Sequence, residues 1–512
     1  MQKSNHKIEI HNTSIIINDY EFGDCTKLEN YFKVYEPVTH SYYYYGMYYD
    51  ENNKKLYIPR GVDIWMVEKL LDTNAYIDDS YYKYEVHDDI YIKYLPRDDI
   101  QKEALRFMIG QAEYRKTVQC PQLSVNLFTG KGKTYISIAF LAYTGIRGIV
   151  ITNSIGWLKQ WEEKTIEYTD ISKKEIYTIT GQVQIQKLLM MSEKKLKSIK
   201  LFLASHDTLQ SYASNNGWDK LGDLFRYLKI GVKIYDEAHL NFMNICMIDF
   251  FTNIYKTFYL TATPIKSSER ENEIYQLYFR NILAIDLFNP DKDPHTHYNA
   301  MVYNSRPDPM QIVSCENKAY GLNRNKYTNY VVYQDNFKKL LVVLMDIGLK
   351  ATMKYGQKFI IYIGTNQAIS IVKDYILETF PFLEDDVGIY TSIIDKEEKE
   401  KALTKRVILS TTKSAGAATD IPGLKLTIVL AEPFRSEVIT RQVLGRTRDD
   451  NTMCIDVIDA AFAQCKRYYY KKLPACRMYA KSVSITKLSD GELHERYQYV
   501  LDNLKGPLMR KC

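Results

Sequence analysis

The chain has no Cys-x-x-Cys pair. Its eight cysteines, at 25, 120, 246, 315, 454, 465, 476 and 512, are scattered along 512 residues. That spacing argues against a zinc ribbon and for a reducing compartment. Long apolar runs are lacking too: the richest, 340–349, is interrupted by Asp346 and is well short of the ~20 residues that span a bilayer as a helix. The segment Met1-Gln2-Lys3-Ser4-Asn5-His6 has no apolar core of the signal-peptide kind, and the expectation is a soluble, cytoplasmic protein. Neither sign of charge dominates, and a net charge of +6 permits an acidic partner without demanding one. His295 and His297 stand near Asp293 with no further ligand cluster, so they read as polar linker residues rather than a metal site. Tyrosine is abundant, with 44 residues clustered as at 42–45 and 468–470. Together with much Lys, Ile and Asn it fits AT-rich coding and carries little functional weight.

At 46% hydrophobic and 25% charged residues the composition is that of globular protein, long enough for roughly three or four domains. The organising stretch is Leu127-Phe128-Thr129-Gly130-Lys131-Gly132-Lys133-Thr134. A strand-like run (Leu123, Val125, Leu127, Phe128) enters it and a mostly apolar helix, 135–142, leaves it, as a phosphate-binding loop requires. Gly130 and Gly132 allow the backbone to approach an anion, and the unpaired amides of the new helix point at it, Thr129 and Lys131 lying in the same turn. Lys133 can reach the β/γ-phosphates and the Thr134 hydroxyl can complete a Mg²⁺ shell. The eight-residue form of the motif would place glycine at 127, where this chain has leucine, and an ordinary Gly-Lys-Thr surface turn is the competing reading.

Residues 1–93 read as short alternating strands (8–17, 41–49, 56–58), with a turn at Asn52-Asn53 and a helix over 64–71. Two readings stand for this module: contact with nucleic acid through Arg60 and the tyrosines, or a packed cap on the next domain. From 94 to 285 strands and helices alternate, which predicts a parallel sheet with crossover helices. Gln101 opens a helix upstream of the loop, and its amide could donate to and accept from adenine. The strand 230–235 empties into Asp236-Glu237-Ala238-His239. Carboxylates at the C-terminal end of a parallel strand lie where open α/β sheets bind ligands. Asp236 suits Mg²⁺, Glu237 the water that attacks the γ-phosphate, and His239 a link to the neighbouring strand. The next strand ends at Thr261-Ala262-Thr263-Pro264, whose hydroxyls could bond His239.

Residues 286–335, rich in Asn, Asp and Pro, read as a linker or the start of a second domain. A second α/β unit is expected over 336–480, with strands at 359–363, 407–409 and 426–430. It carries Ser410-Thr411-Thr412, Gly416, Asp420-Ile421-Pro422-Gly423 and then Arg441-Gln442-Val443-Leu444-Gly445-Arg446-Thr447-Arg448. An arginine there, facing a triphosphate on the first unit, would act as an arginine finger. From 464 to 512 there are eleven Lys/Arg against four Asp/Glu. Interleaved with Tyr468–Tyr470 and Tyr479, this basic tail (481–512 at its end) suits phosphates and bases, or else an amphipathic helix capping the second unit.

In their order, these boxes resemble a superfamily 2 helicase over residues 94–480, nearest its XPB-like, phage UvsW-type branch. Gln101-Lys102-Glu103-Ala104, the Leu-x-x-Gly-x-Gly-Lys-Thr loop and Asp420-Ile421-Pro422 carry the likeness. The resemblance implies a viral source and an α/β fold of two tandem RecA-like domains with parallel sheets, plus the small β-rich N-terminal accessory domain. It implies ATP and Mg²⁺ in the cleft and DNA, or RNA or an RNA–DNA hybrid, as partner. It also implies roles: Gln101 on adenine; the loop residues, Gly416 and Asp420 around the nucleotide; Asp236 on Mg²⁺; Glu237 as base; Gln442 and Arg446 closing the site. Thr152, Ser205, Thr365 and Thr411 fall where such proteins touch the nucleic-acid backbone. Asp449 occupies the position of the branch's second arginine, with Arg448 just before it.

Overall fold

The computed structural model describes residues 7–36, 41–44, 46–128, 130–240, 242–261, 269–288, 294–317, 321–415, 421–446 and 452–504. Residues 1–288 form one compact unit and 289–512 another.

In the first unit, five strands are buried along their whole length: Gln122–Asn126, Gly148–Thr152, Leu201–Ser205, Val232–Tyr235 and Lys256–Thr261. Strands buried along both faces need cover on both sides, which crossover helices provide. With Ile176–Ile179 and Leu283–Asp286 at the two edges they make a seven-stranded, all-parallel sheet. The order is 176–179, 201–205, 148–152, 232–235, 256–261, 122–126, 283–286. From 122–126 the chain skips two positions to reach 148–152, leaving a crevice at the C-terminal ends of the central strands.

Beneath this sheet lies a fully buried polar cluster. Lys233 Nζ donates to Asp249 Oδ1 and, at 2.6 Å, to Thr252 Oγ1. Tyr235 and Tyr259 donate their hydroxyls to the same carboxylate at 2.8 and 2.6 Å, and Gln122 Nε2 reaches the Tyr259 oxygen at 2.8 Å. Burial pushes the Lys233 ammonium down and both phenols up, but every charge in the cluster has a partner, as burial demands.

The N-terminal module is a five-stranded sheet in the order Tyr48–Asp50, Lys55–Pro59, Ser14–Asn18, Lys7–Ile10, Ala75–Ile77, with helices Phe22–Phe32 and Ile64–Leu71. The module packs on the rest of the first unit. Its apolar face shares a core with helix Phe242–Phe251 and Tyr278. Tyr57 and Tyr48 lie with ring centroids 5.0 and 5.1 Å from Phe251. A Cβ on Gly61 would come within 2.2 Å of the Tyr278 carbonyl, so glycine there permits the approach. These tyrosines are packing groups, and burial depresses the Arg60 guanidinium. Among the described residues, no helix is long and apolar enough to cross a membrane.

The second unit is another seven-stranded, all-parallel sheet: Val387–Tyr390, Val407–Ser410, Lys358–Ile363, Leu424–Ala431, Thr452–Asp459, Thr296–Tyr303, Ser482–Lys487. The stretch expected as a linker or the start of a second domain, 286–335, carries Thr296–Tyr303, which is inserted between two other strands, and His297 bonds Ser482 Oγ at 2.7 Å as part of that pairing. The alternation of His297 and Asn299 with Tyr298 and Ala300 is a strand pattern hidden by the polar residues before it. The described part of the basic tail, 481–504, expected to contact nucleic acid or to form a helix capping the second unit, holds an edge strand and helix Asp490–Leu504, whose Leu493 and Val500 join the core around Asp335–Ala351. One face of that strand meets solvent, and its Ser- and Lys-rich composition follows. Lys472, on the helix before it, is buried against Asp456 at 2.6 Å, so not all of the helix's basic residues face outward.

Candidate nucleotide-binding site

The turn after Gln122–Asn126 is shaped by two left-handed glycines, Gly130 (φ 84°) and Gly132 (φ 89°), the second capping helix Lys133–Thr144. Gly132 is required for space as well as for φ: a Cβ there would lie 2.2 Å from Gln101 Nε2. Gln101 is buried. Its Nε2 donates to the Lys131 carbonyl at 3.2 Å and its Oε1 accepts the Arg97 amide at 2.9 Å. In this structure Gln101 therefore braces the glycine turn, and both ends of its amide, expected to read adenine, are engaged by backbone.

The acid pair sits two strands away in the same sheet. Asp236 N donates to the Ile151 carbonyl at 3.0 Å; Asp236 Oδ1 accepts the Glu237 amide at 3.0 Å and Oδ2 accepts Trp161 Nε1–H at 2.9 Å. Burial, with the Glu237 charge adding to it, raises the Asp236 carboxyl to about 6, against the pull of Lys133 and these hydrogen bonds. Glu237 stands at φ 48°, a conformation that costs a side-chain-bearing residue roughly 1–2 kcal/mol. Such strain at a sheet's ligand edge is a mark of function. The turn aims Glu237 Oε1 at Lys133 Nζ, 3.0 Å away, and Oε2 at His239 Nδ1, 3.4 Å away. The same His239 nitrogen lies 2.8 Å from Thr261 Oγ1, on the next strand. Lys133, Asp236, Glu237, His239 and Thr261 thus come together, while Thr134 lies half-buried one residue after Lys133.

The four residues expected at a nucleic-acid backbone are all helix-start or strand-end groups. Thr152 and Ser205 are neighbours across the sheet and fully buried. Thr152 Oγ1 donates to the Ser154 carbonyl at 2.8 Å, and Ser205 Oγ pairs with Thr208 Oγ1 at 2.9 Å. Their side chains shape local turns and are closed to a strand in this structure. Thr365 and Thr411 are half-buried, accepting the amides of Ala368 at 3.2 Å and Ser414 at 3.0 Å.

In the second unit Gln442 is half-buried on helix Glu437–Leu444, and Arg446 is buried just beyond it, where its charge partly opposes the burial that raises the Tyr362 phenol to about 12. Thr129, Ala262, Thr263, Gly416, Asp420, Arg448 and Asp449 lie outside the described residues. Sequence reading overlooked Glu432, at the end of strand Leu424–Ala431. It accepts the Thr412 amide at 2.9 Å and the Thr412 hydroxyl, fixing the turn that carries Thr411. A carboxylate closing a parallel strand was the signal that singled out Asp236, and it applied here too. Burial pushes Glu432 up to about 7, against both bonds from Thr412. The folded state then binds a proton more tightly than the unfolded chain, so this contribution to stability is present at low pH and is lost as pH rises through about 7. The melting temperature of wild type relative to E432Q should fall between pH 5 and pH 8; a constant difference would reject the assignment.

Two all-parallel sheet units make up the α/β core, the first with a glycine turn, a lysine and an acid pair at the C-terminal ends of its strands. Residues 95–266 match the family described as "Type III restriction enzyme, res subunit". "Transcript termination protein A18" of Yaba-like disease virus is 21% identical over 334 residues, or 63% of this chain, which spans 64% of that relative's length. Among solved structures, S. cerevisiae Dbp5 bound to RNA and ADP BeF3 is similar over 79% of this chain and 93% of its own, at 14% identity and TM-score 0.51. The Type ISP restriction-modification enzyme LlaBIII bound to DNA is similar over 81% of this chain and 33% of its own, at 12% identity and TM-score 0.53.

Proposed function

We propose that this chain is a nucleic-acid-dependent ATPase that uses ATP and Mg²⁺ to move along DNA and unwind or remodel it. The observation that carries the reading is the Lys133–Glu237–His239–Thr261 chain of contacts beside Asp236, set at the mouth of a glycine turn. Two carboxylates against one lysine leave an excess negative charge, which suits a divalent cation arriving with a triphosphate. That ion, held by Asp236 and Thr134, would neutralise charge on the phosphates. Lys133 exchanges Glu237 for the phosphates, which leaves Glu237 able to take the proton of the attacking water. His239 holds the Glu237 carboxylate toward the site and ties it to the strand ending at Thr261. Gln442 and Arg446 keep the nucleotide-contacting roles that the resemblance implies, and differential affinity of two conformations for a strand would convert turnover into movement.

DNA is favoured by the branch that the motifs resemble. A second reading, a translocase that releases transcripts or acts on RNA or RNA–DNA hybrids without separating strands, is favoured by the viral termination relative. ATPase activity titrated with single-stranded, duplex and branched DNA and with RNA tests the proposal. Stimulation by DNA is expected, and no stimulation by any nucleic acid would overturn it. Triplex displacement without strand displacement would select the second reading.

A further inference from the structure

Trp161 lies within helix Ile155–Tyr168 and is 2% exposed. An indole offers a single donor and no acceptor, and this one is given to a carboxylate oxygen of Asp236 at 2.9 Å. The strand before this helix and the bend that joins them grip the acid pair at further points. The Ile151 carbonyl accepts the Asp236 amide at 3.0 Å, and Asn153 Nδ2 lies 3.4 Å from the carbonyls of both Asp236 and Glu237. The Glu237 amide engages the other carboxylate oxygen, so the plane of the Asp236 carboxylate is fixed from two sides.

We infer that Trp161 is a positioning residue that orients Asp236 to receive the divalent cation of the nucleotide complex. The inference rests on the reading of Asp236 as cation ligand. Phenylalanine at 161 would fill most of the same volume and leave the carboxylate free to rotate. Groups that orient a metal ligand in this way typically change metal affinity by roughly 10–100-fold when lost. A residue that only packs the helix would not shift metal affinity at constant nucleotide affinity.

The test measures Mn²⁺ binding to the protein–ATP complex by the loss of the free-ion paramagnetic resonance signal, in wild type, W161F and D236N. W161F should bind Mn²⁺ about tenfold more weakly or worse, with the affinity for ATP in EDTA unchanged. D236N should lose the site. Binding by W161F equal to wild type, with D236N defective, overturns the role of Trp161 alone. Binding by D236N equal to wild type overturns the cation reading and this inference together. A second measurement keeps Trp161 in place. With Trp65, Trp157 and Trp218 changed to Phe, the remaining emission should be quenched by Mn²⁺ only when ATP is present and Asp236 is intact. Emission indifferent to Mn²⁺ plus ATP overturns the inference even where W161F fails to fold.

Discussion

Glu237→Gln should bind ATP about as well as wild type while its turnover falls by roughly 10²–10⁴-fold. The substitution preserves shape, and the amide oxygen can still face Lys133, which now lies 3.0 Å from Glu237 Oε1. What disappears is the capacity to accept a proton from water. Because the left-handed turn at Glu237 is set by backbone bonds, including Ala238 N to the Leu260 carbonyl at 2.9 Å, the side chain should keep its direction. Fluorescent-nucleotide binding and phosphate release measured on one preparation separate the two effects. Lys133→Ala is the comparator, since it should lose nucleotide binding as well as turnover. Phosphate release by the glutamine variant within about tenfold of wild type would remove Glu237 as the base.

Asp249→Ala should destabilise the first unit by roughly 3–5 kcal/mol, a drop in melting temperature on the order of 10 °C. Lys233 is fully buried and its ammonium has Asp249 as its counter-charge. Removing the carboxylate leaves that ammonium with only the Thr252 oxygens and no counter-charge, and the hydroxyls of Tyr235 and Tyr259 without their acceptor. Replacing both charged partners, as Lys233→Met with Asp249→Leu, should cost less than Asp249→Ala alone. The two phenols would still lose a bond, but no bare ammonium would remain in the interior. Thermal melts of the single and double variants check the order, and a double variant less stable than the single one would show that the ion pair is not what holds the cluster.

Much of this arrangement was legible in the residues because its causes are local. Apolar runs at 149–151 and 359–363 call for a covered parallel sheet, and glycines at 130 and 132 mark a left-handed turn before a helix. The strand 296–303 was hidden because its pairing partners, 452–459 and 482–487, lie far along the chain. Its own flanks, rich in Asp, Pro and Asn, are those of a loop. Glu432 escaped notice because an acid before a proline is ordinary until the fold delivers the Thr412 amide and hydroxyl to it.

The sequence by itself determined two parallel-sheet units and the lysine, acid pair and histidine of the proposed nucleotide site, since spacing along strand and turn is enough to specify them. Only the tertiary structure decided which groups brace one another. It turned Gln101 onto the glycine loop, closed Thr152 and Ser205 into their own turns, pressed the N-terminal tyrosines onto Phe251, and brought the Trp161 indole to Asp236. Apart from the short turns at Thr152 and Ser205, those contacts join residues separated by tens to hundreds of positions, and no local preference of backbone or side chain encodes a partner that arrives only when the sheet has formed.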